Sequence, residues 1–179
     1  MDHNEVLLKA LEFHGHRCWA SVAGVRVGLT ALETLGVKRS GGTQLFGIVE
    51  IGEEHGGMCF GDGIQCATGC TFGKGNIRKQ PYGKLGFTLI DKDTSRAVRM
   101  VFTSFLQKRI AASAFMQKRA AGISADEIPM DEQMEVVDLV WNEPAENVLK
   151  IGEVFEYPEQ FLPEVMGYRP CDRSGELTA

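Results

Sequence analysis

The sequence predicts an α+β domain, an antiparallel or mixed sheet packed with helices. Three observations lead there. Helix-like and strand-like stretches follow one another without the steady strand–helix alternation of a doubly wound parallel sheet. The segments "GKLGFTLIDKD" and "RAVRMVFT" read as neighbouring antiparallel strands joined by a turn at Asp91 to Ser95. A chain of 179 residues, 44% apolar and 24% charged, suits one globular domain that can bury a core without disulfide staples.

Taken in order, "NEVLLKALEFHG" is a short amphipathic helix with Asn4 as N-cap and Gly15 as stop. In "CWASVAGVRVGLTALETLGV", Cys18, Val22, Val25, Leu29 and Leu32 recur at helical spacing, which predicts a buried helix ending at Gly36. Gly24 and Gly28 within it permit another backbone to come close, either inside the chain or across a dimer interface. "TQLFGIVEI" is a strand after the turn-forming "RSGG". The glycine-dense "GEEHGGMCFGDGIQCATGCTFGKGN" holds one short helix, "DGIQCATG", capped by Asp62. After the two antiparallel strands, "SFLQKRIAASAFMQKRAAG" is one long helix and "SADEIPMDEQMEVVDLVW" begins another at Ser124, whose acidic first turn suits the helix dipole. "VLKIGEVFEYP" returns to strand. Residues 1–157 form the core domain, and 158–179 form an extended tail punctuated by proline and glycine.

Net charge excludes little but leans in one direction. At −5 the chain lacks the basic footprint that phosphate backbones require, which argues against nucleic acid as partner. No stretch reaches the roughly 18 apolar residues of a membrane span. The acidic N-terminus does not resemble a signal peptide. These features predict a cytoplasmic protein, where the five cysteines serve as free thiols, metal ligands or redox groups.

The first candidate site is "FHGHRC", which sets His14, His16 and Cys18 at alternate positions. Gly15 breaks helical regularity between them, so a loop entering a helix N-terminus can bring two or three together. A cysteine at a helix N-terminus is favoured as thiolate, and zinc takes thiolate and imidazole together. The plainer alternative makes His14 a helix C-cap and Cys18 a core residue. Cys59, Cys66 and Cys70 form a second group. Cys59, placed in the loop before Asp62, is read as functional and Cys66 as a small buried residue, with Cys70 open to either role. "GCTFGKGN" is not a Walker A loop, because Gly75 follows Lys74 where Ser or Thr must stand. Lys74 is either a charge for an anionic ligand or a solvated surface lysine.

"FHGHRC", "MCFGDGIQCATGCTFGKGN" and "YGKLGFTLIDKDTSRAVRM", in this order and spacing, resemble the FmdE-like family of formylmethanofuran dehydrogenase proteins over about residues 10 to 105. The resemblance implies an α+β core forming an intertwined homodimer in an anaerobic bacterial or archaeal setting. It implies a metal site of His14, His16, Cys18 and Cys59 holding one zinc, or alternatively nickel or iron, per chain. It also matches Asp62, Gln65, Thr68, Cys70, Lys74 and Asn76 to a second block, expected to bind substrate. Relatives often carry a C-terminal zinc ribbon. Here "RPCDRSGE" resembles a remnant of one knuckle, with Cys171 kept, Ser174 in place of its partner and no second pair following. The chain is too small to hold a pterin and iron–sulfur clusters, so the resemblance implies either an accessory to a molybdenum- or tungsten-dependent oxidoreductase or an unrelated metalloprotein sharing the core. Three functions follow as expectations: a metalloprotein whose ion is held by His16, Cys18 and Cys59, with His14 as an extra or outer group and Lys74 and Asp62 nearest for binding a substrate and proton transfer; a metal chaperone, sensor or accessory subunit; or a thiol redox protein using Cys59, Cys66 or Cys70.

Overall fold

The computed structural model describes residues 2–158, 161, 167 and 169–178. The expected tail from Pro158 therefore lies partly outside the described residues. Helices α1 (His3–His14) and α2 (Trp19–Leu35) lead into strand β1 (Leu45–Val49) and helix α3 (His55–Thr68). A 3-10 turn at Phe72–Lys74 precedes β2 (Ile77–Lys79), β3 (Gly86–Asp91) and β4 (Arg96–Phe102). Short helices α4 (Gln107–Ala112) and α5 (Ala114–Ala120) follow, then α6 (Met130–Trp141), α7 (Ala145–Val148) and β5 (Leu149–Glu156). Strands β6 (Arg169–Pro170) and β7 (Leu177–Thr178) close a separate small hairpin. The fold is α+β.

The five-stranded sheet runs β2-β1-β3-β4-β5, with β1 and β2 parallel and every other neighbouring pair antiparallel. Alternation along the strands assigns the faces. Val49, Phe87 and Met100 align across β1, β3 and β4 and point into the main core, where Val22, Val27 and Phe60 from α2 and α3 meet them. On the other face, Ile48, Ile90 and Ala97 form a smaller cluster with Phe46, Tyr157 and Phe161.

Several expected boundaries move. The α1 cap is Asp2, whose carboxylate accepts the Asn4 N–H at 3.0 Å, and not Asn4 itself. The long helix expected over 104–122 breaks at Ser113, whose extended backbone ends α4 and whose hydroxyl accepts the Met116 N–H to start α5. Ser124 does form a capping box with Glu127, but around a 3-10 turn, and α6 begins only after Pro129. The largest shift concerns α3. It starts at His55, not at Asp62, so Cys59 lies inside the helix and Asp62 in its middle.

The reason is packing. Glycine disfavours a helix interior by about 1 kcal/mol, but here the glycines let two helices touch backbone to backbone. A Cβ on Gly24 of α2 would stand 2.1 Å from the Phe60 carbonyl oxygen, and one on Gly63 of α3 would stand 2.0 Å from the Ser21 carbonyl oxygen. Gly28 in turn faces Ala67. The close approach permitted by Gly24 and Gly28 is thus within the chain.

Candidate metal centre

The α1–α2 junction is dictated by Gly15. It caps α1 with φ of 87°, a left-handed conformation that costs glycine no steric strain, and its N–H closes on the Leu11 and Glu12 carbonyls. His14 is left as the last residue of α1. The chain then reverses through His16 and enters α2 at Cys18, whose extended backbone makes it the N-cap. The two imidazoles and the thiol converge: one ligand atom from each of His14, His16 and Cys18 lies within 4.8 Å of the others. The His14 and His16 ring centroids are 4.4 Å apart.

Helix α3 supplies the other wall. His55, Cys59 and Asp62 follow at spacings of four and three, so they share one helix face, and each meets the junction. The Asp62 carboxylate takes the His14 Nδ1 at 2.9 Å, with the His14 side chain only 8% exposed. The His14 Nε2 is buried and has no hydrogen-bond partner among the described residues. Cys59 lies beside Cys18 in a cluster with Ala20 and Trp19. The His55 ring stacks on His16 with centroids 6.3 Å apart.

These contacts set the protonation. The Asp62 carboxylate, and after it the Cys18 sulfur, raise His14 to about 9. Cys18 is held well below the usual thiol range, first by the adjoining Cys59 thiol and then, against the penalty of burial, by the neighbouring His14 and His16 imidazoles. Cys59 moves the opposite way, upward, because its proton is engaged by Cys18. The two sulfurs are thus pushed in opposite directions, Cys18 toward the thiolate and Cys59 toward the thiol. The cavity beside them, about 380 Å³, is bordered by His16, Cys18, Trp19 and His55 on one side and by Phe115, Met116 and Arg119 of α5 on the other.

The four residues expected to bind metal divide into three that converge and Cys59, which adjoins them through its contact with Cys18. The second block separates along α3, whose 14 residues span about 20 Å. Asp62 is at the cluster. Gln65 accepts the Phe72 N–H at 3.2 Å, and its amide nitrogen stands 3.5 Å from Asp62. Thr68, the last residue of the helix, accepts the Cys70 N–H, and beyond it Asn76 accepts the Thr71 N–H and donates to the Leu45 carbonyl, while Lys74 donates to the Ser40 carbonyl. Burial pushes the Cys70 thiol up to about 11 and raises Cys66 as well. Cys171 sits in the turn between β6 and β7, where the Gly175 N–H closes on its carbonyl at 2.8 Å and Ser174 lowers its thiol. The sequence reading missed His55. Its spacing to Cys59 and Asp62 was the available signal, hidden because Asp62 was read as the N-cap of a helix that in fact begins at His55.

An α+β domain carrying His14, His16 and Cys18 within mutual reach at a helix junction belongs, by fold and site, to the proteins with a His/Cys cluster that can hold a metal ion. Residues 13–150 match the family described as FmdE, molybdenum formylmethanofuran dehydrogenase operon, and the chain belongs to that family. It is 29% identical over 173 residues to the probable S-adenosyl-L-methionine-binding protein of Archaeoglobus fulgidus, an alignment covering 94% of this chain. The chain spans only 44% of that relative's length. The crystal structure of a tungsten formylmethanofuran dehydrogenase FmdE-like protein from Syntrophus aciditrophicus has the same fold, with a TM-score of 0.56 at 20% identity, over 98% of this chain and 85% of that one. Among the described residues, no helix is long and apolar enough to cross a membrane.

Proposed function

We propose that this domain binds one late transition-metal ion per chain, zinc first and nickel or iron after it, through His14 Nε2, His16 and Cys18, with Cys59 as the fourth group at hand. The observation that carries the reading is the buried His14 Nε2 without a partner among the described residues. A buried nitrogen left unmatched costs about 1–3 kcal/mol, and here its ring is already oriented by Asp62 from the other side. A carboxylate on the distal nitrogen of a ligating histidine is how such sites fix tautomer and ring direction. The donor set fits as well, since thiolate and imidazole suit zinc.

Bound there, the ion would supply Lewis acidity toward an oxygen-bearing ligand. The chain's own contributions are separate. Asp62 holds the His14 ring and accepts its Nδ1 proton, Cys59 keeps Cys18 as thiolate, and the apolar side chains around the cavity limit access of water. Gln65, Thr68, Cys70, Lys74 and Asn76 are read as holding the loop that follows α3, which anchors the helix carrying Asp62 and Cys59.

The test is elemental analysis of untagged protein together with cobalt substitution, in which thiolate ligation appears as a charge-transfer band. Asp62→Asn is expected to retain the metal but weaken it about 10- to 100-fold, read by competition with a chromophoric chelator. An unchanged affinity would remove Asp62 from the site.

A second reading rests on the packing of Cys18 and Cys59 in one buried cluster, a pair that a mild two-electron oxidant would join as a disulfide with loss of both thiol protons. It predicts a mass lower by two hydrogens after oxidation and no stoichiometric metal in any preparation.

We extend the proposal to assembly as a homodimer and to service beside a molybdenum- or tungsten-dependent oxidoreductase, both supported by family membership. Strand β5 supports the first. It is an edge of the sheet and leaves Ile151, Val154 and Phe155 40–48% exposed, a surface that invites pairing. Light scattering is expected to give twice the chain mass, and Val154→Lys is expected to give the monomer.

A further inference from the structure

The cavity next to the cluster has a composition that the cluster alone does not explain. Its walls are apolar at Trp19, Phe115 and Met116, and one arginine, Arg119, lines it. Arg119 is anchored, because one Nη1 N–H donates to the Ile123 carbonyl at 2.7 Å. Of the five N–H donors of a guanidinium, the rest have no protein partner among the described residues. The Asp126 carboxylate accepts from the Ser124 hydroxyl at 2.5 Å and stands near enough to Arg119 for their charges to attract, without a direct ion pair among the described residues. Across Trp19 and Met116, which border both spaces, a second cavity of about 500 Å³ continues between Leu85, Phe102 and Ile110. Both volumes fall within the range of small-molecule sites, roughly 300–1,000 Å³.

We propose that this cavity binds a small monocarboxylate with an apolar body, its carboxylate on the fork of Arg119 and its body against Trp19, Phe115 and Met116. The planar fork of arginine matches a carboxylate with two parallel hydrogen bonds. Arg119 is the one lysine or arginine of a lining that otherwise holds the His16 and His55 imidazoles and apolar side chains, and its fork suits one carboxylate better than a phosphate dianion, which favours several cations. A ligand so held lies with its body beside Cys18 and His16, and a longer tail has the second cavity open to it past Met116, a flexible side chain. The inference rests on the metal reading only for the role of that neighbour. Arg119 and the apolar walls belong to the chain whether or not an ion is bound.

Trp19 serves as reporter. Titrations of hexanoate, hexanamide and inorganic phosphate are followed by tryptophan fluorescence and by calorimetry, on metal-free and zinc-loaded protein with zinc content measured on each sample. Hexanoate is expected to bind at least tenfold tighter than either hexanamide or phosphate in the wild type. Arg119→Gln is expected to erase that preference, while Lys108→Gln, an equal loss of charge at an exposed position, keeps it. Thermal unfolding of both variants establishes that they fold. Equal binding of hexanoate and hexanamide, a preference for phosphate, a carboxylate preference that survives Arg119→Gln, or no binding of hexanoate at all would each overturn the proposal. Failure of the metal reading is separately visible, as absence of zinc in samples that still bind hexanoate.

Discussion

Cys18→Ser is expected to lower zinc affinity by on the order of a hundredfold to a thousandfold, the largest effect of any single side chain at the junction. Zinc in a thiolate and imidazole site is held by about 10–16 kcal/mol at neutral pH, so each of four donors carries roughly 2.5–4 kcal/mol. Serine keeps the size but not the thiolate, and it also removes the partner that Cys59 hydrogen-bonds. Cys59→Ser is expected to cost less, because Cys59 lies outside the group of three whose ligand atoms fall within 4.8 Å. Cys66→Ser serves as control: it sits further along α3, against the small cluster of Val6, Ala10, Val25, Leu29 and Ala67, away from the junction. Elemental analysis after dialysis against a graded chelator series separates these outcomes. Metal retained at wild-type level in Cys18→Ser would move the site elsewhere.

The same geometry fixes a pH dependence. Without metal, His14 is protonated up to about 9, held there chiefly by Asp62. An ion on His14 must displace that proton, so binding releases it. Apparent affinity is therefore expected to rise with pH through the neutral range and to level off near 9. In Asp62→Asn the proton leaves more readily, which makes the rise shallower there while the loss of ring orientation lowers the affinity reached at high pH. Chelator competition at pH 6, 7, 8 and 9 reads both features, and an affinity flat across that range would show that His14 is not a ligand.

How far the sequence carried depends on whether the information was local. The antiparallel β3–β4 pair, β1, β5, α1 and α2 were legible from periodicity and turn residues, because each is decided within its own segment. The convergence of His14, His16 and Cys18 was half legible, since Gly15 announced a break but not its direction. What stayed hidden was α3. Its glycines at 56, 57, 61 and 63 argue against helix locally, and the compensation comes from α2, close in space but some 40 residues earlier. With α3 begun too late, His55 could not be seen as sharing a face with Cys59 and Asp62. The hydrogen bonds of Thr68 and Asn76 to backbone groups of the surrounding loops were likewise hidden, because only the folded chain brings those partners near.

Gly63→Ala tests whether that compensation is what holds the site together. Intrinsic propensity alone favours alanine in a helix interior by about 1 kcal/mol, so a free helix would gain from the change. In the folded chain, however, the added Cβ would stand 2.0 Å from the Ser21 carbonyl oxygen, 2.8 Å from the Val25 nitrogen and 3.0 Å from the Gly24 Cα. All three are backbone atoms of α2, and no side chain can rotate away to relieve them. Overpacking typically costs about 1–3 kcal/mol and sometimes more. With the clash on backbone, a net loss of about 3 kcal/mol is expected even after the propensity gain. For a domain of this size that lowers the unfolding midpoint by roughly 6–12 °C. Relief must come from α2 and α3 moving apart, which draws Cys59 from Cys18 and Asp62 from His14, so zinc affinity should fall with stability. Gly41→Ala, where no atom lies within 4 Å of the new Cβ, should leave both unchanged. Unaltered melting in Gly63→Ala would mean that the two helices do not meet at this point, and the cluster built on their contact would lose its support.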